Sequence, residues 1–177
     1  MKKLGLIIVA GLLVTTVFSQ TKRITKTGHI KMFSHTAVED INANNYKITS
    51  TLDPETGVMV FSVPMQGFEF EKALMQKHFN SAKFLDTKQF PKAKFKGVIT
   101  DIGKLDLTKD GTYNIVVKGN LTMHGVTKSI SEKGTLTVKG TVVVASSKFN
   151  IVLADYKIAF EKGKPSKNIA KVVELTI

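Results

Sequence analysis

The stretch YNIVVKGNLTM, Tyr113 to Met123, decides the fold. Its odd positions are Tyr113, Ile115, Val117, Gly119, Leu121 and Met123, whereas the even positions are polar apart from Val116. Successive side chains on an extended chain point to opposite sides, so this separation means a long strand with one dry and one wet face. His124-Gly125 follows, and then alternation resumes. A two-residue hairpin turn asks both central residues for left-handed geometry, which glycine adopts freely and histidine tolerates. That turn sets Met123 against Val126, Leu121 against Lys128 and Gly119 against Ile130. The inward row of the second strand is then Val126, Lys128, Ile130, Glu132, Gly134, Leu136 and Val138, since the odd residues from Thr127 to Thr137 are polar. Two charges on that row stand out. Lys128, near the turn, can snorkel out of the barrel end towards a head group. Glu132 lies some 13 Å further along at about 3.3 Å per residue, too far to pair with it.

Similar runs occur at Tyr46–Leu52, Val58–Val63, Phe95–Ile102, Thr135–Val144, Phe149–Leu153, Tyr156–Phe160 and Ile169–Ile177. Turn signals such as Asp53-Pro54-Glu55-Thr56-Gly57, Lys109-Asp110-Gly111 and Lys139-Gly140 separate several of them. About eight strands joined mostly by short turns pair antiparallel, and a single helical segment is too little to cover their apolar face. Closing the sheet on itself buries that face and removes both edges. The expected fold is mainly β: an eight-stranded, up-and-down antiparallel barrel with a short helical segment closing one end. A barrel of that size holds side chains or one small ligand. A membrane barrel would turn its apolar face outward beneath aromatic girdles. This chain has no tryptophan, three tyrosines and recurrent lysines on the polar face, so the dry face is expected to point inward.

The first 20 residues, MKKLGLIIVAGLLVTTVFSQ, read as a secretory signal peptide cleaved near Ser19 or Gln20. Their apolar core of about 15 residues is shorter than the roughly 20 that a membrane span requires. Residues 21–177 then form one domain in the periplasm or outside the cell. The absence of cysteine leaves the stability of that domain to its core. Net charge is +12, or +10 without Lys2 and Lys3. With one arginine, no tryptophan and scattered lysines, the chain lacks the clustered patches and stacking aromatics of a nucleic-acid reader. The charge fits a solvated outer face, and peripheral contact with a membrane surface stays open. His29 and His35 are too far apart to share a metal, and no two histidines have ligand spacing. Neither a metal nor a cofactor is expected.

The remaining distinctive stretch is HFNSAKFLDTKQFPKAKF, His78 to Phe95. A helix is expected from Phe68 to about His78, with Glu69 and Glu71 in its first turn, where acids suit the dipole. Met75 and Phe79 share one of its faces. Asn80 or Ser81 can cap a following turn, and Pro91 forces extended geometry on Phe90 before the next strand. His78 near Ser81 suggests a base and a nucleophile, but no third residue orients the base. A capping hydrogen bond or a polar plug at the barrel end accounts for both.

His78-Phe79-Asn80-Ser81 with Phe84, Phe90-Pro91 and Phe95, taken together with GNLTMHGVTK at 119–128, resembles the YceI-like family. The resemblance runs from about Gly28 to Ile177, although Phe33–Asn45 departs from the family pattern of a basic-histidine-leucine-glycine turn. It implies an exported lipocalin-like barrel that binds a lipid or polyisoprenoid without catalysis. The inward residues expected to line the ligand site are Phe61, Val63, Phe95, Ile99, Ile115, Val117, Leu121, Met123 and Ile130, with His78, Ser81 and Lys128 at the rim. Gly97, Gly119 and Gly134 on the same rows point to free space inside. Two rivals remain: a filled barrel serving as an envelope scaffold, and a hydrolase using Ser81 and His78.

Overall fold

The computed structural model describes residues 22–36, 39–158, 160–161, 164–165 and 170–177. The expected signal peptide lies outside them. The strands are β1 (Arg23–His35), β2 (Asp40–Leu52), β3 (Val58–Pro64), β4 (Glu69–Phe70), β5 (Lys92–Ile99), β6 (Gly111–Met123), β7 (Val126–Lys139), β8 (Val142–Val152), β9 (Phe160–Glu161), β10 (Lys164–Pro165) and β11 (Val172–Thr176). One α-helix, α1 (Ala73–Asn80), follows β4. The main sheet runs β1-β11-β8-β7-β6-β5-β3-β2 and closes through β1–β2, with every pairing antiparallel. It is the eight-stranded up-and-down barrel. β4 adds a two-residue pairing to β2, and β9 and β10 form a small separate hairpin.

The β6–β7 hairpin has the expected register, Met123 against Val126 and Gly119 against Ile130, with His124 at φ 50° and Gly125 at φ 75°. His124 does more than turn the chain. Its Nδ1–H donates to the Tyr156 carbonyl at 3.0 Å, and its ring meets Phe90 edge-on, centroids 4.7 Å apart.

Membership of the eight differs from expectation. Arg23–His35 is a full strand. Its outer half is too polar to alternate visibly, because Arg23 to Thr27 are all exposed. Thr135–Val144 is two strands broken at Gly140, and the second runs on through Phe149 to Val152. Of the expected strand Tyr156–Phe160, Tyr156–Ile158 is not extended, since Leu153–Tyr156 forms a 3-10 turn and Lys157 takes φ 55°. Ala159 lies outside the described residues, and Phe160 begins β9. The last strand is Val172–Thr176, shorter than Ile169–Ile177.

The helix begins later than expected, at Ala73, because Glu69 and Phe70 pair with Asn44 and Ala43 of β2. Its first turn therefore carries no acid. Its start is tied instead by Lys72 Nζ, 2.7 Å from Glu39 Oε2. Met75 and Phe79 face the barrel, and Leu74 is left 63% exposed.

One end of the barrel is packed solid. Leu52, Met59, Ile99, Ile115 and Leu136 form a cluster there, with Leu136 at 0% exposure, and Ile102, Leu105 and Leu107 fold over it from the β5–β6 loop. That loop is held by Asp106, whose carboxyl accepts from Thr108 and pairs with Lys109, and hydrogen bonding lowers its pKa to about 2. Asp110 accepts from the Gly140 amide at 2.7 Å and joins this loop to the β7–β8 turn.

Gly97 and Gly119 face each other across β5–β6 beneath the Phe95 ring, and a Cβ on either would strike that ring and the neighbouring backbone. They are small because the strands and an aromatic ring converge, and so they are no sign of a cavity. Gly119→Ala should cost about 1–3 kcal/mol through overpacking, whereas Gly103→Ala, with nothing within 4 Å of the new Cβ, should shift stability by under about 0.5 kcal/mol. Urea unfolding of the two variants measures the contrast, and equal costs would contradict the packing described.

Candidate ligand cavity

Above the packed end the barrel is hollow. A cavity of about 840 Å³ runs from the level of Ile115 and Gly134 to α1. That volume lies within the range of small-molecule sites, roughly 300–1,000 Å³. Eight of the nine expected wall residues line it: Phe61, Val63, Phe95, Ile115, Val117, Leu121, Met123 and Ile130. Ile99 does not. It is 1% exposed and fills the packed end beside Leu136. The filled-barrel expectation fails on this cavity.

The wall also contains residues that alternation on β6 and β7 did not supply. Met32 on β1, Phe70 on β4, Phe149 and Ile151 on β8, and Leu175 on β11 complete the circumference. Phe149 and Ile151 were readable as an alternating pair. Phe70 was not, because it lay inside the expected helix. Phe79 stands at the centre of an aromatic cluster at the α1 end, with ring centroids 5.5 Å from Phe68, 4.9 Å from Phe70 and 6.2 Å from Phe84. Such tilted aromatic pairs add roughly 0.5–1.5 kcal/mol each beyond the area they bury.

α1 and the turn after it are held by backbone capping. The Ser81 hydroxyl donates to the His78 carbonyl at 2.7 Å, the Asn80 side chain donates to the Gln76 carbonyl at 3.0 Å, and buried Thr87 donates to Asn80 Oδ1 at 3.0 Å. Ser81 therefore acts as a C-cap, and among the described residues its hydroxyl makes no hydrogen bond to the imidazole. Ser81 and His78 still reach the cavity, together with Glu39 and Lys83, and give this end a polar border. Lys128 does not join them: it is exposed and outside the lining. No group of three or more metal-ligating side chains occurs among the described residues. His29 stacks on Tyr46 and His35 pairs with Asp40, both on the outer surface.

Asn45 was missed by the sequence pattern. It is 0% exposed at an irregularity where β1–β2 register slips between Gly28↔Ile48 and Ile30↔Asn45. Its side chain donates to the Pro64 carbonyl at 2.9 Å and accepts from the Lys47 amide at 3.0 Å. The polar run Asn42 to Asn45 was the available signal.

A closed antiparallel meander bordered by α1 has counterparts. The YceI-like domain profile matches residues 16–177. The chain belongs to the YceI-like family. Among curated relatives, the UPF0312 protein PputGB1_5030 of Pseudomonas putida is 31% identical over 108 residues, 61% of this chain and 52% of the relative. A UPF0312 protein of Enterobacter sp. is 26% identical over 131 residues, 70% of this chain and 63% of the relative. The chain thus spans about half the length of the Pseudomonas relative it matches. Among solved structures, a polyisoprenoid-binding domain from Saccharophagus degradans superposes with TM-score 0.72 at 12% identity, covering 88% of this chain and 94% of its own. BcnA of Burkholderia cenocepacia gives TM-score 0.69 at 16% identity, covering 84% and 92%. These likenesses establish the fold, a YceI lipocalin-like barrel.

Within this YceI barrel Glu132 is the anomaly. It points inward opposite Val117, is half-buried, and lines the cavity. Burial pushes its carboxyl above the usual value of 4.5. The native state therefore holds that proton more tightly than the unfolded chain, and stability falls as pH rises through the window above 4.5. Glu132→Gln should be more stable than the wild type at neutral pH, and the advantage should disappear below the ordinary carboxylate range. Thermal melts across pH measure this. A glutamine variant that melts lower at neutral pH would contradict it.

Proposed function

We propose that the protein is a non-catalytic carrier that holds an extended apolar chain, of the polyisoprenoid, fatty acyl or quinone-like kind, in the barrel interior. The observation that carries this reading is the cavity of about 840 Å³, whose wall is predominantly aliphatic and aromatic and which ends against the Leu136 cluster. Each methylene removed from water contributes about 0.8 kcal/mol, so a long tail needs no strong polar contact to bind. The polyisoprenoid-binding character of the Saccharophagus degradans relative in this fold supports the ligand class. The capping role of Ser81 supports a site without a nucleophile. Export to the periplasm belongs to the same reading and rests on the first 20 residues. So does transfer at a membrane surface, where α1 presents exposed Leu74 near Lys77.

Ile130 is the residue to block. It is part-buried on β7, lines the cavity, and lies well above the packed end. Ile130→Trp should weaken binding of methyl oleate at least about tenfold, or 1.4 kcal/mol, while the melting temperature moves by less than about 4 °C. Displacement of the polarity-sensitive dye Nile red measures the affinity. Unchanged affinity in a folded variant would remove the ligand from the barrel.

A further inference from the structure

Among the described residues, the β7–β8 ladder stops beside Glu132. It ends at Gly134↔Ser147, while on its opposite edge β8 pairs with β11 from Lys148 to Val152. From Val126 to Lys133, β7 therefore has a ladder partner, among the described residues, only on its β6 side. The cavity reaches this seam, because Lys133 and Ser146, both exposed on the outer rows of their strands, appear in its lining beside Glu132 and Gly134. The Ser147 hydroxyl is already committed there, donating to the Lys133 carbonyl at 2.6 Å.

Glu132 itself has no such commitment. Among the described residues it makes no hydrogen bond and no ion pair, and burial alone raises its pKa, with no cation opposing. Burial above all, then the charges of Asp155 and Glu132, raises the pKa of the nearby Tyr156 phenol. A carrier of purely apolar chains has no use for an acid in its wall that no described residue partners, since burying one without a partner is unfavourable and an aliphatic residue would fit the row. A cavity that takes an amphiphile does have a use for it: a few placed polar groups fix the orientation of an otherwise greasy ligand.

We propose that Glu132 is the polar subsite of the cavity, and that the ligand carries a non-anionic hydrogen-bond donor, such as an alcohol, phenol or amide N–H, which meets this carboxyl at the β7–β8 seam. This rests on the carrier reading above and narrows its ligand class. An anionic head is disfavoured at the same point, because a second negative charge there meets the first in poorly solvated surroundings. Donor-bearing chains should bind with the head beside Glu132 and the tail towards α1.

Three ligands that share one chain separate the terms: oleyl alcohol, methyl oleate and oleate, each scored by displacement of Nile red at neutral pH. In the wild type, oleyl alcohol should displace at about tenfold lower concentration than methyl oleate, with oleate weakest. Glu132→Gln should strengthen oleate about tenfold, since the amide donates where the carboxylate repelled. Equal binding of the alcohol and the ester by the wild type, or an oleate affinity indifferent to Glu132→Gln, overturns the subsite and leaves the carrier standing. Failure of all three chains and of the dye overturns the carrier reading and the subsite with it.

Discussion

The cavity depends on how β11 closes the barrel. Five residues, Val172 to Thr176, pair with β8 on one side and with Phe33, Met32 and Lys31 of β1 on the other. Without that short strand the β1 and β8 edges would be unpaired and the apolar face of the sheet would open to water. With it the sheet is a tube, and its diameter is set by eight strands. The two ladders of β8 are staggered, the one to β7 ending at Ser147 and the one to β11, on the opposite edge, running from Lys148 to Val152.

Inside the tube the two ends are packed by different means. Leu52, Met59, Ile99 and Leu136 interlock with the β5–β6 loop and leave no room, whereas α1 closes its end with aromatic rings that meet at angles and leave space beneath them. The chain therefore spends part of its hydrophobic residues on stability and part on an unfilled wall. The packed end supplies rigidity in a protein without disulfides. The hollow end leaves an apolar wall uncovered. Glu132 sits near the boundary of the two, just beyond the last β7–β8 pair at Gly134.

Much of this was legible in the sequence. Alternation from Tyr113 to Met123 and the His124-Gly125 turn set the register of β6 and β7, and with it the inward direction of Ile115, Val117, Leu121, Met123 and Ile130. The pattern was weaker wherever something other than the pleat decides burial. Ile99 alternates correctly, but its depth along the barrel, and so its membership of the packed end, follows from stagger between strands that no local pattern records. Lys128 has inward parity, yet it lies near the β6–β7 turn, where its long side chain reaches solvent. Phe70 lies in a helix-like context and becomes a strand because β2 offers it a partner. The Gly97–Gly119 pair looked like vacancy and is instead close approach. Arg23–His35 carried too few apolar residues to announce a strand that only its neighbours stabilise.

The central claim, that the barrel interior is a binding site for an apolar chain, is tested most directly by native mass spectrometry of the protein purified from its own cells, with organic extraction and lipid analysis of whatever it carries. The account predicts a stoichiometric adduct released by solvent, with a long apolar chain and a head group that bears a hydrogen-bond donor and no fixed negative charge. A protein that emerges bare, under conditions in which a control lipid-binding barrel keeps its ligand, would contradict it.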